Sequence, residues 1–351
     1  MTKEILHETD VVFDVPLGYQ DNARLDAYLT SCIQNATRNR VARGIDEGRV
    51  SVNGRVATKP SLRVQAGDHI VCTVTKPVPI KIEPEEIPLD IRFEDDDVIV
   101  LIKPAGMVVH PAYGHRSGTL VNALLFHMGR GTIEMAVDDA EPNFQPIEDK
   151  NVNSQQLRPG IVHRLDKDTS GLMVAAKNAD ALSNLGKQFH AHSIERKYLA
   201  ILWGAPTKPT GRITTHLGRN PRDRKKVAVV PEDAGKLAAT NYEVVEEHIY
   251  TSLVRFRLET GRTHQIRVHA ADMGNPVFGD TTYGGDRIRF GPVTKNRTSF
   301  HRNLFAKLPS QALHAEHLSF VHPTSGKTLS FDAPLSDAMQ YILDRLRTHS
   351  G

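Results

Sequence analysis

A short polar segment carries a dense set of charged residues directly before an apolar stretch. Residues 160–171 are Gly-Ile-Val-His-Arg-Leu-Asp-Lys-Asp-Thr-Ser-Gly, and the apolar residues 172–176 follow at once. A loop that runs into a rigid strand can hold a carboxylate at the edge of a cleft, and Arg164 and Lys167 favour an ionised Asp166. Such a carboxylate could act as a nucleophile or a base. A loop ion pair without catalytic consequence is the alternative, and local charge density alone favours it.

Two further segments contain side chains suited to bind a carboxylate or a planar base. In residues 258–269 a strand ends with a turn at Gly261 and a helix opens at Thr263, and helix starts bind anions readily. Arg267 lies on the first turns of this helix, where its guanidinium could form a bidentate pair with a carboxylate from another segment. Tyr198, on a predicted strand, is either a core aromatic residue with a hydrated hydroxyl or a platform for a base.

Motifs for common cofactors do not occur in the sequence. There is no Gly-x-Gly-x-x-Gly turn, no Gly-x-x-x-x-Gly-Lys-Ser/Thr loop and no Gly-x-Ser-x-Gly elbow. The 17 His residues include no His-Glu-x-x-His pattern, and their closest pairs lack a third ligand nearby. We therefore expect neither a cofactor nor a metal. Cys32 and Cys72 lie far apart within apolar patterns, which predicts core residues rather than a disulfide.

Length and composition are those of a folded protein with two domains. The 351 residues include 44 Lys or Arg, 41 Asp or Glu and 39% hydrophobic residues, which excludes a wholly disordered chain. No apolar run approaches the roughly 18 residues of a membrane span, and the first residues lack the apolar stretch of a signal peptide. We expect a cytoplasmic monomer that makes no membrane contact.

Residues 17–76 predict a small basic module. An apolar stripe over 24–33 predicts one helix, Thr37 can cap a second, and a hairpin over 50–56 precedes a strand over 70–74. Nine Lys or Arg against five acidic residues form either a solvated basic face or a surface for nucleic-acid phosphates. The module resembles the RNA-binding domain typified by ribosomal protein S4, and this resemblance favours RNA. The residues expected to contact RNA here are Arg38, Arg40, Arg43, Arg49 and Arg55.

A Pro-rich linker over 77–88 separates this module from a predicted α+β catalytic domain over 89–340. Helical patterns cover 119–128 and 179–192. The predicted strands cover 97–102, 172–176, 196–203, 240–245 and 252–258. Two insertions of irregular structure are expected near 131–157, where residues 131–149 hold six acidic and no basic residues, and near 286–308, which is basic.

Together these residues resemble the RluA family of RNA pseudouridine synthases. The segments 163–172, 196–199 and 258–269 carry the resemblance, which continues in the family's order through 103–111, 235–240, 279–285 and 311–315. With the S4-like module in front, the chain is most similar to the RluD-type members. That similarity implies a mixed, largely antiparallel sheet flanked by helices and a large-subunit ribosomal RNA substrate.

The resemblance also implies roles for individual residues. Asp166 would be the catalytic aspartate, Tyr198 the active-site tyrosine and Arg267 the basic partner of Asp166, while Arg164 would occupy the gap left by an extruded base. The implied reaction is an isomerisation that needs no cofactor. Further RNA contacts are expected from the basic residues Arg222, Arg224, Lys225 and Arg262.

Two alternatives to a synthase remain open from the residues alone. One is a non-catalytic RNA-binding or ribosome-assembly factor on the same fold. The other is a ribonuclease in which His163 or His264 works with Asp166 as an acid and base pair.

Overall fold

A computed structural model describes residues 6–33, 36, 38–77, 80–111, 115–135, 160–223, 226–308 and 311–348. These residues form two compact units, the first before residue 80 and the second from Ile80 onward. Each unit combines helices with mainly antiparallel strands, which confirms the predicted α+β class. Most of the predicted acidic insertion lies outside the described residues.

The first unit is a four-stranded antiparallel sheet with two helices. The helices are α1 (Leu25–Cys32) and α2 (Arg38–Asp46), both of which were predicted, although the expected cap Thr37 lies outside the described residues. The strands are β1 (Leu6–Asp14), β2 (Val50–Val52), β3 (Arg55–Val56) and β4 (His69–Pro77). Their order is β1-β4-β2-β3. Strand β1, which pairs with β4 from Leu6 to Asp14, was not predicted from the sequence.

The apolar stripes of the two helices form the core of this unit. Leu25 and Leu29 of α1 and Ile45 of α2 are completely buried against the sheet. Cys72 is buried as expected, but the prediction for Cys32 was wrong, because this residue ends α1 where the helix leaves the core and is exposed.

The second unit is built on a ten-stranded sheet. The strands of this sheet are β6 (Asp90–Glu94), β7 (Val98–Lys103), β9 (Ser170–Ala176), β10 (Glu195–Trp203), β11 (Thr210–Arg219), β12 (Val227–Val230), β13 (Lys236–Glu247), β14 (Thr251–Leu258), β15 (Leu313–Val321) and β16 (Thr328–Asp332). Two further strands, β5 (Ile80–Ile82) and β8 (Ile133–Met135), form a separate two-stranded sheet. The order in the large sheet is β12-β11-β13-β14-β10-β15-β9-β7-β6, with β16 paired to β15. Within the part of the chain that the structure describes, only β9 and β15 pair in parallel. The five predicted strands correspond to β7, β9, β10, β13 and β14.

Among the described residues, five helices flank this sheet. None of the described helices has the length and apolar character needed to cross a bilayer. The five helices are α3 (Leu120–His127), α4 (Ala179–His190), α5 (Gln265–Asp272), α6 (Lys295–Lys307) and α7 (Asp337–Thr348). Leu185 of α4 packs in one core cluster with β7 and β9, while Leu304 of α6 and Ile342 of α7 pack in another with Ile201 of β10. The first two helices confirm the predicted helical segments.

The prediction of irregular structure near 286–308 was wrong, because α6 occupies much of this segment. Its periodicity was hidden by polar residues that face inward. Arg297 is buried and donates to the carbonyl oxygens of Pro292 at 2.5 Å and Phe290 at 3.0 Å. His301 is buried and stacks on Trp203. A helix whose inner face carries an arginine and a histidine lacks the apolar stripe that sequence patterns detect.

Candidate active site

The second unit contains a cavity of about 350 Å³ that is lined mainly by three segments. The first is the loop before β9, the second is the end of α4 with the start of β10, and the third connects β14 to α5. These are the segments in which the sequence predicts chemistry. The structure places five of the predicted residues on the wall of this one cavity: Asp166, Tyr198, Arg267, Arg164 and Arg262.

Glycines fix both ends of the loop that carries Asp166. Gly160 has a φ of +73°, and a Cβ there would lie 2.0 Å from the carbonyl oxygen of Ala176. Gly171 has a φ of +117°, and a Cβ there would lie 2.3 Å from the carbonyl oxygen of Ala315. Because only glycine permits these backbone conformations and such close approach, the loop leaves and enters the sheet at fixed points.

Lys103, at the end of β7, holds the same loop. Its side chain is completely buried, and its Nζ donates to the carbonyl oxygens of Pro104 at 2.7 Å and of Met107 and Lys167 at 2.9 Å. Burial lowers the pKa of Lys103 to about 7, against the opposing effect of nearby carboxylates including Asp166. Only the protonated amine can donate three hydrogen bonds at once, so the charged form supports this geometry. This role of Lys103 was not predicted; the one indication in the sequence was a lysine at the end of an apolar strand.

Arg267 bridges two carboxylates. Its Nη1 donates to Oδ2 of Asp166 at 2.8 Å, and its Nε and Nη2 donate to the two oxygens of Asp280 at 2.7 and 3.0 Å. The side chain of Asp280 is completely buried and also accepts hydrogen bonds from the backbone N–H groups of Thr282 and Tyr283. Burial disfavours the charge on Arg267, but the two carboxylates outweigh it and raise the pKa of Arg267. The bidentate pair fixes the direction from which the guanidinium meets Asp166.

The carboxylate of Asp166 is ionised and partly open to the cavity, with 18% of its side chain exposed. Burial acts to raise the pKa of Asp166, but the positive charges of His264, Arg267 and Arg164 outweigh burial and lower it below the ordinary value. Burial also lowers the pKa of His264, so near neutral pH this histidine is uncharged and Arg267 supplies the lasting positive charge.

His264 occupies an unusual backbone position beside the carboxylate. The helix α5 begins at Gln265, two residues later than predicted, and His264 precedes it with a φ of +55°. This left-handed conformation is uncommon for a residue with a side chain and is found often at functional sites. It places Nδ1 2.8 Å from the hydroxyl of Tyr283 and Nε2 3.8 Å from Oδ2 of Asp166.

Tyr198 faces the cavity from β10. Alternation along the strand directs Leu199, Ile201 and Trp203 toward the core formed with α6 and α7, while Tyr198 lines the cavity on the opposite face. Burial and the charge of Asp166 raise the pKa of Tyr198, so its hydroxyl is protonated at neutral pH. Tyr198 and Asp166 therefore line the same cavity.

His163 is poorly suited to acid and base chemistry. It is buried, its Nε2 accepts the backbone N–H of Val174 at 3.1 Å, and its ring stacks on Phe189 with 4.5 Å between centres. Burial lowers the pKa of His163 to about 3, which keeps it neutral. This arrangement argues against a ribonuclease that relies on His163.

In the first unit, Arg38 is partly engaged with an acidic residue. Arg24 and Arg38 both donate to the buried carboxylate of Asp26, with shortest distances of 3.1 and 3.0 Å. The hydrogen bond from Arg24, opposed by burial and supported by Arg38, lowers the pKa of Asp26 to about 2. Arg40 lies in α2, and its side chain is outside the described part of the chain.

Of the remaining predicted RNA contacts, Arg43, Arg55 and Arg222 are exposed, whereas Arg49 and Arg262 are half-buried. Arg43 and Arg49 both donate to Glu47, while Arg55 is exposed at the start of β3. In the second unit Arg222 is exposed in the connection between β11 and β12, and Arg262 donates to the carbonyl oxygen of Leu237 at 3.0 Å. Arg224 and Lys225 lie outside the described residues.

A group of potential metal ligands lies apart from the cavity. Asp95, Asp97 and His322 bring their ligand atoms within 4.8 Å of one another. However, Nε2 of His322 lies 2.8 Å from Asp95, and its Nδ1 accepts the backbone N–H groups of Thr324 and Ser325. Both ring nitrogens are therefore already engaged, and hydrogen bonding accounts for the cluster.

Comparison with known proteins agrees with this architecture. Residues 97–272 match a family model described as RNA pseudouridylate synthase, and residues 24–70 match the S4 domain. An uncharacterized RNA pseudouridine synthase of Chlorobaculum parvum is 46% identical over 94% of this chain and 95% of its own length. A protein of Zymomonas mobilis named ribosomal large subunit pseudouridine synthase D is 40% identical over 92% of this chain and 93% of its own.

A solved structure shares the fold. Human RNA pseudouridylate synthase domain containing 4 superposes with a TM-score of 0.50 at 22% identity, covering 74% of this chain and 93% of its own. The family model spans half of the chain, and the curated relatives align over nearly all of it. The chain therefore belongs to the RNA pseudouridine synthase family and carries an S4 domain, as its motifs indicated.

Proposed function

We propose that this protein converts uridine to pseudouridine in the RNA of the large ribosomal subunit, with Asp166 as the catalytic carboxylate. The observation that carries this proposal is the ion pair between Asp166 and Arg267 on the wall of a cavity of about 350 Å³. An ionised carboxylate beside a cavity of this size can reach a nucleoside. The name of the Zymomonas mobilis relative supports the choice of RNA.

The reaction conserves every atom of the substrate. The bond from ribose C1′ to N1 of uracil breaks, the base turns, and C1′ is joined to C5, while the proton lost from C5 balances the proton gained at N1. Asp166 acts on the nucleoside as the ionised nucleophile, and the bond that it forms breaks again before the product leaves, which regenerates the carboxylate. Arg267 keeps Asp166 ionised and oriented. Tyr198 packs against the uracil ring and orients it for the loss of the C5 proton.

Binding energy must bring the target uridine into the cavity. A base in folded RNA has to leave its stack, which costs a few kcal/mol. The exposed Arg164 beside Asp166 would support the vacated position, while Arg262 and Arg222 would contact phosphates of the same RNA. The basic residues of the S4 domain would add further phosphate contacts. The protein would do this as a cytoplasmic monomer.

The test combines a loss of chemistry with retained binding. Asp166→Asn removes the nucleophilic carboxylate but keeps its shape, so pseudouridine formation should be lost while RNA affinity is nearly unchanged. The matched control is Asp272→Asn, an exposed aspartate at the end of α5, which should modify RNA as the wild type does. Pseudouridine would be mapped in ribosomal RNA from cells that lack the gene and are complemented with each variant.

Other outcomes would contradict the proposal in recognisable ways. Cleaved RNA strands with the wild type would indicate a ribonuclease. Binding without modification by the wild type would indicate a non-catalytic RNA-binding factor. If Asp166→Asn failed to fold or to bind RNA, a catalytic role for Asp166 would lose its support.

A further inference from the structure

A second buried arginine on the cavity wall has no counterion among the described residues. Arg196 lies on β10 two residues before Tyr198, lines the same cavity and is only 7% exposed. Its Nε is buried without a hydrogen-bond partner, and no ion pair among the described residues includes Arg196. The ring of Phe189 lies beside it, with the guanidinium carbon 5.6 Å from the ring centre.

The surrounding backbone leaves space for this guanidinium. A Cβ at position 261 would lie 2.8 Å from Nη1 of Arg196, so the absence of a side chain at Gly261 makes room for it. The connection from β14 to α5 therefore accommodates the arginine on one side, and Phe189 covers it on another. The guanidinium is held in a shaped position rather than extended into solvent.

A buried guanidinium without a counterion is unfavourable in the free protein. Arginine keeps its proton inside proteins, so the charge cannot be removed by titration. Among the residues that line the cavity, Asp166 is the one carboxylate in the described part of the chain, and it is already paired with Arg267. A ligand that brings a full negative charge would offset the cost of burial better than a neutral carbonyl group would.

The position of Arg196 relative to Tyr198 fits one nucleotide. Side chains two residues apart on a strand point to the same face and are separated by roughly 6–7 Å along the strand. If uracil packs on Tyr198, a group near Arg196 lies about as far away as a nucleotide's phosphate lies from its base. In RNA the phosphodiester is the group that carries the negative charge.

We propose that Arg196 binds one of the two phosphodiesters that flank the target uridine and thereby positions the extruded nucleotide against Tyr198 and Asp166. Arg196 is thus a positioning residue that contacts the backbone of the substrate. This inference rests on the proposed function, because it takes the substrate of the cavity to be a nucleotide in RNA.

The experiment removes the charge from the protein and from the RNA in turn. The protein variant is Arg196→Met, and the probe is a synthetic RNA that contains a uridine mapped as a target, with either flanking phosphate replaced by a neutral methylphosphonate. With ordinary RNA, Arg196→Met should weaken Kd and raise KM by about 10- to 100-fold, with a smaller change in kcat. Methylphosphonate at the contacted position should weaken wild-type binding to a similar degree and leave the variant unaffected.

Two controls separate this role from a structural one. Lys197→Met changes the net charge equally, but Lys197 pairs with Glu195 at 3.1 Å and does not line the cavity, so this variant should bind and react as the wild type does. Thermal unfolding provides the second control. Because Arg196→Met removes an unpaired buried charge, its melting temperature without RNA should equal or exceed that of the wild type.

The outcomes distinguish the two proposals. An equal methylphosphonate penalty in the wild type and in Arg196→Met, with modification by the wild type intact, would overturn the role of Arg196 alone. A lower melting temperature together with lost affinity would also overturn it in favour of a structural role. An Arg196-dependent penalty in binding without any pseudouridine formed would support the phosphate contact and overturn the proposed function.

Discussion

The two buried arginines of the cavity are in opposite electrostatic situations. Arg267 donates to Asp166 and to both oxygens of Asp280, so its charge is fully matched within the protein. Arg196 is buried to a similar extent, with 7% exposed against 6% for Arg267, but it has no acidic partner among the described residues. Equal burial therefore has different consequences on the two sides of one cavity.

This contrast allows one cavity to combine a rigid side with a side that binds the substrate. The network around Arg267 is satisfied before any substrate arrives, which preorganises the carboxylate of Asp166. The charge of Arg196 has no acidic partner among the described residues, so it is balanced only when an anion enters the cavity. Stability is concentrated on the first side and binding on the second. Variants on the Arg267 side should therefore lose folding free energy and turnover, whereas Arg196→Met should mainly lose substrate affinity.

The largest effect is expected from Arg267→Met. This change leaves Asp280 buried without its counterion, and breaking a buried pair in this way costs roughly 3–5 kcal/mol of unfolding free energy. Asp166 loses its lasting positive neighbour as well, so pseudouridine formation should disappear. Urea unfolding and a single-turnover assay measure the two effects. A variant as stable as the wild type would mean that the N–H groups of Thr282 and Tyr283 alone satisfy Asp280.

Asp280→Asn should have an intermediate effect. The amide retains one acceptor oxygen but loses the charge-assisted bidentate pair, so Arg267 is held less firmly against Asp166. We expect kcat to fall by about 10- to 100-fold with KM little changed, which corresponds to roughly 1–3 kcal/mol in the activation barrier. Steady-state kinetics on RNA provides the measurement. A raised KM with unchanged kcat would instead place Asp280 in substrate binding.

The smallest effect is expected from pH. The pKa of Asp166 in the folded protein lies below its ordinary value of 3.8. The ion pair of Asp166 therefore stabilises the fold fully at pH values above 3.8, and this stabilisation is lost as the pH falls through the pKa of the folded state. Ionisation of Asp166 should therefore not limit kcat/KM between pH 7 and about pH 5. A pH profile of single-turnover rates tests this. An acid limb near pH 6 that a carbon NMR titration assigns to Asp166 would show that burial dominates over Arg267.

Local patterns in the sequence predicted much of the fold and the main cavity residues. The apolar strands and the stripes of α1 and α2 could be predicted because each element buries one regular face. Tyr198 and Arg267 could be found because they lie in dense motifs. The roles of Lys103 and Asp280 could not, since each depends on contacts that only the folded chain creates, such as the ion pair between residues 267 and 280. The pairing of Arg38 with Asp26 was hidden for the same reason.

The close backbone contacts at Gly160 and Gly171 limit which sequence changes the loop between them can accept. Both ends of the intervening loop lie so close to backbone atoms of the sheet that no larger residue fits there. A change in the number of residues between them would therefore shift one of these glycines away from its position on the sheet. Insertions and deletions should therefore be tolerated poorly between these two positions, whereas side chains that point into solvent can be exchanged. Sequence changes that alter which RNA is bound should therefore occur in other segments at the surface.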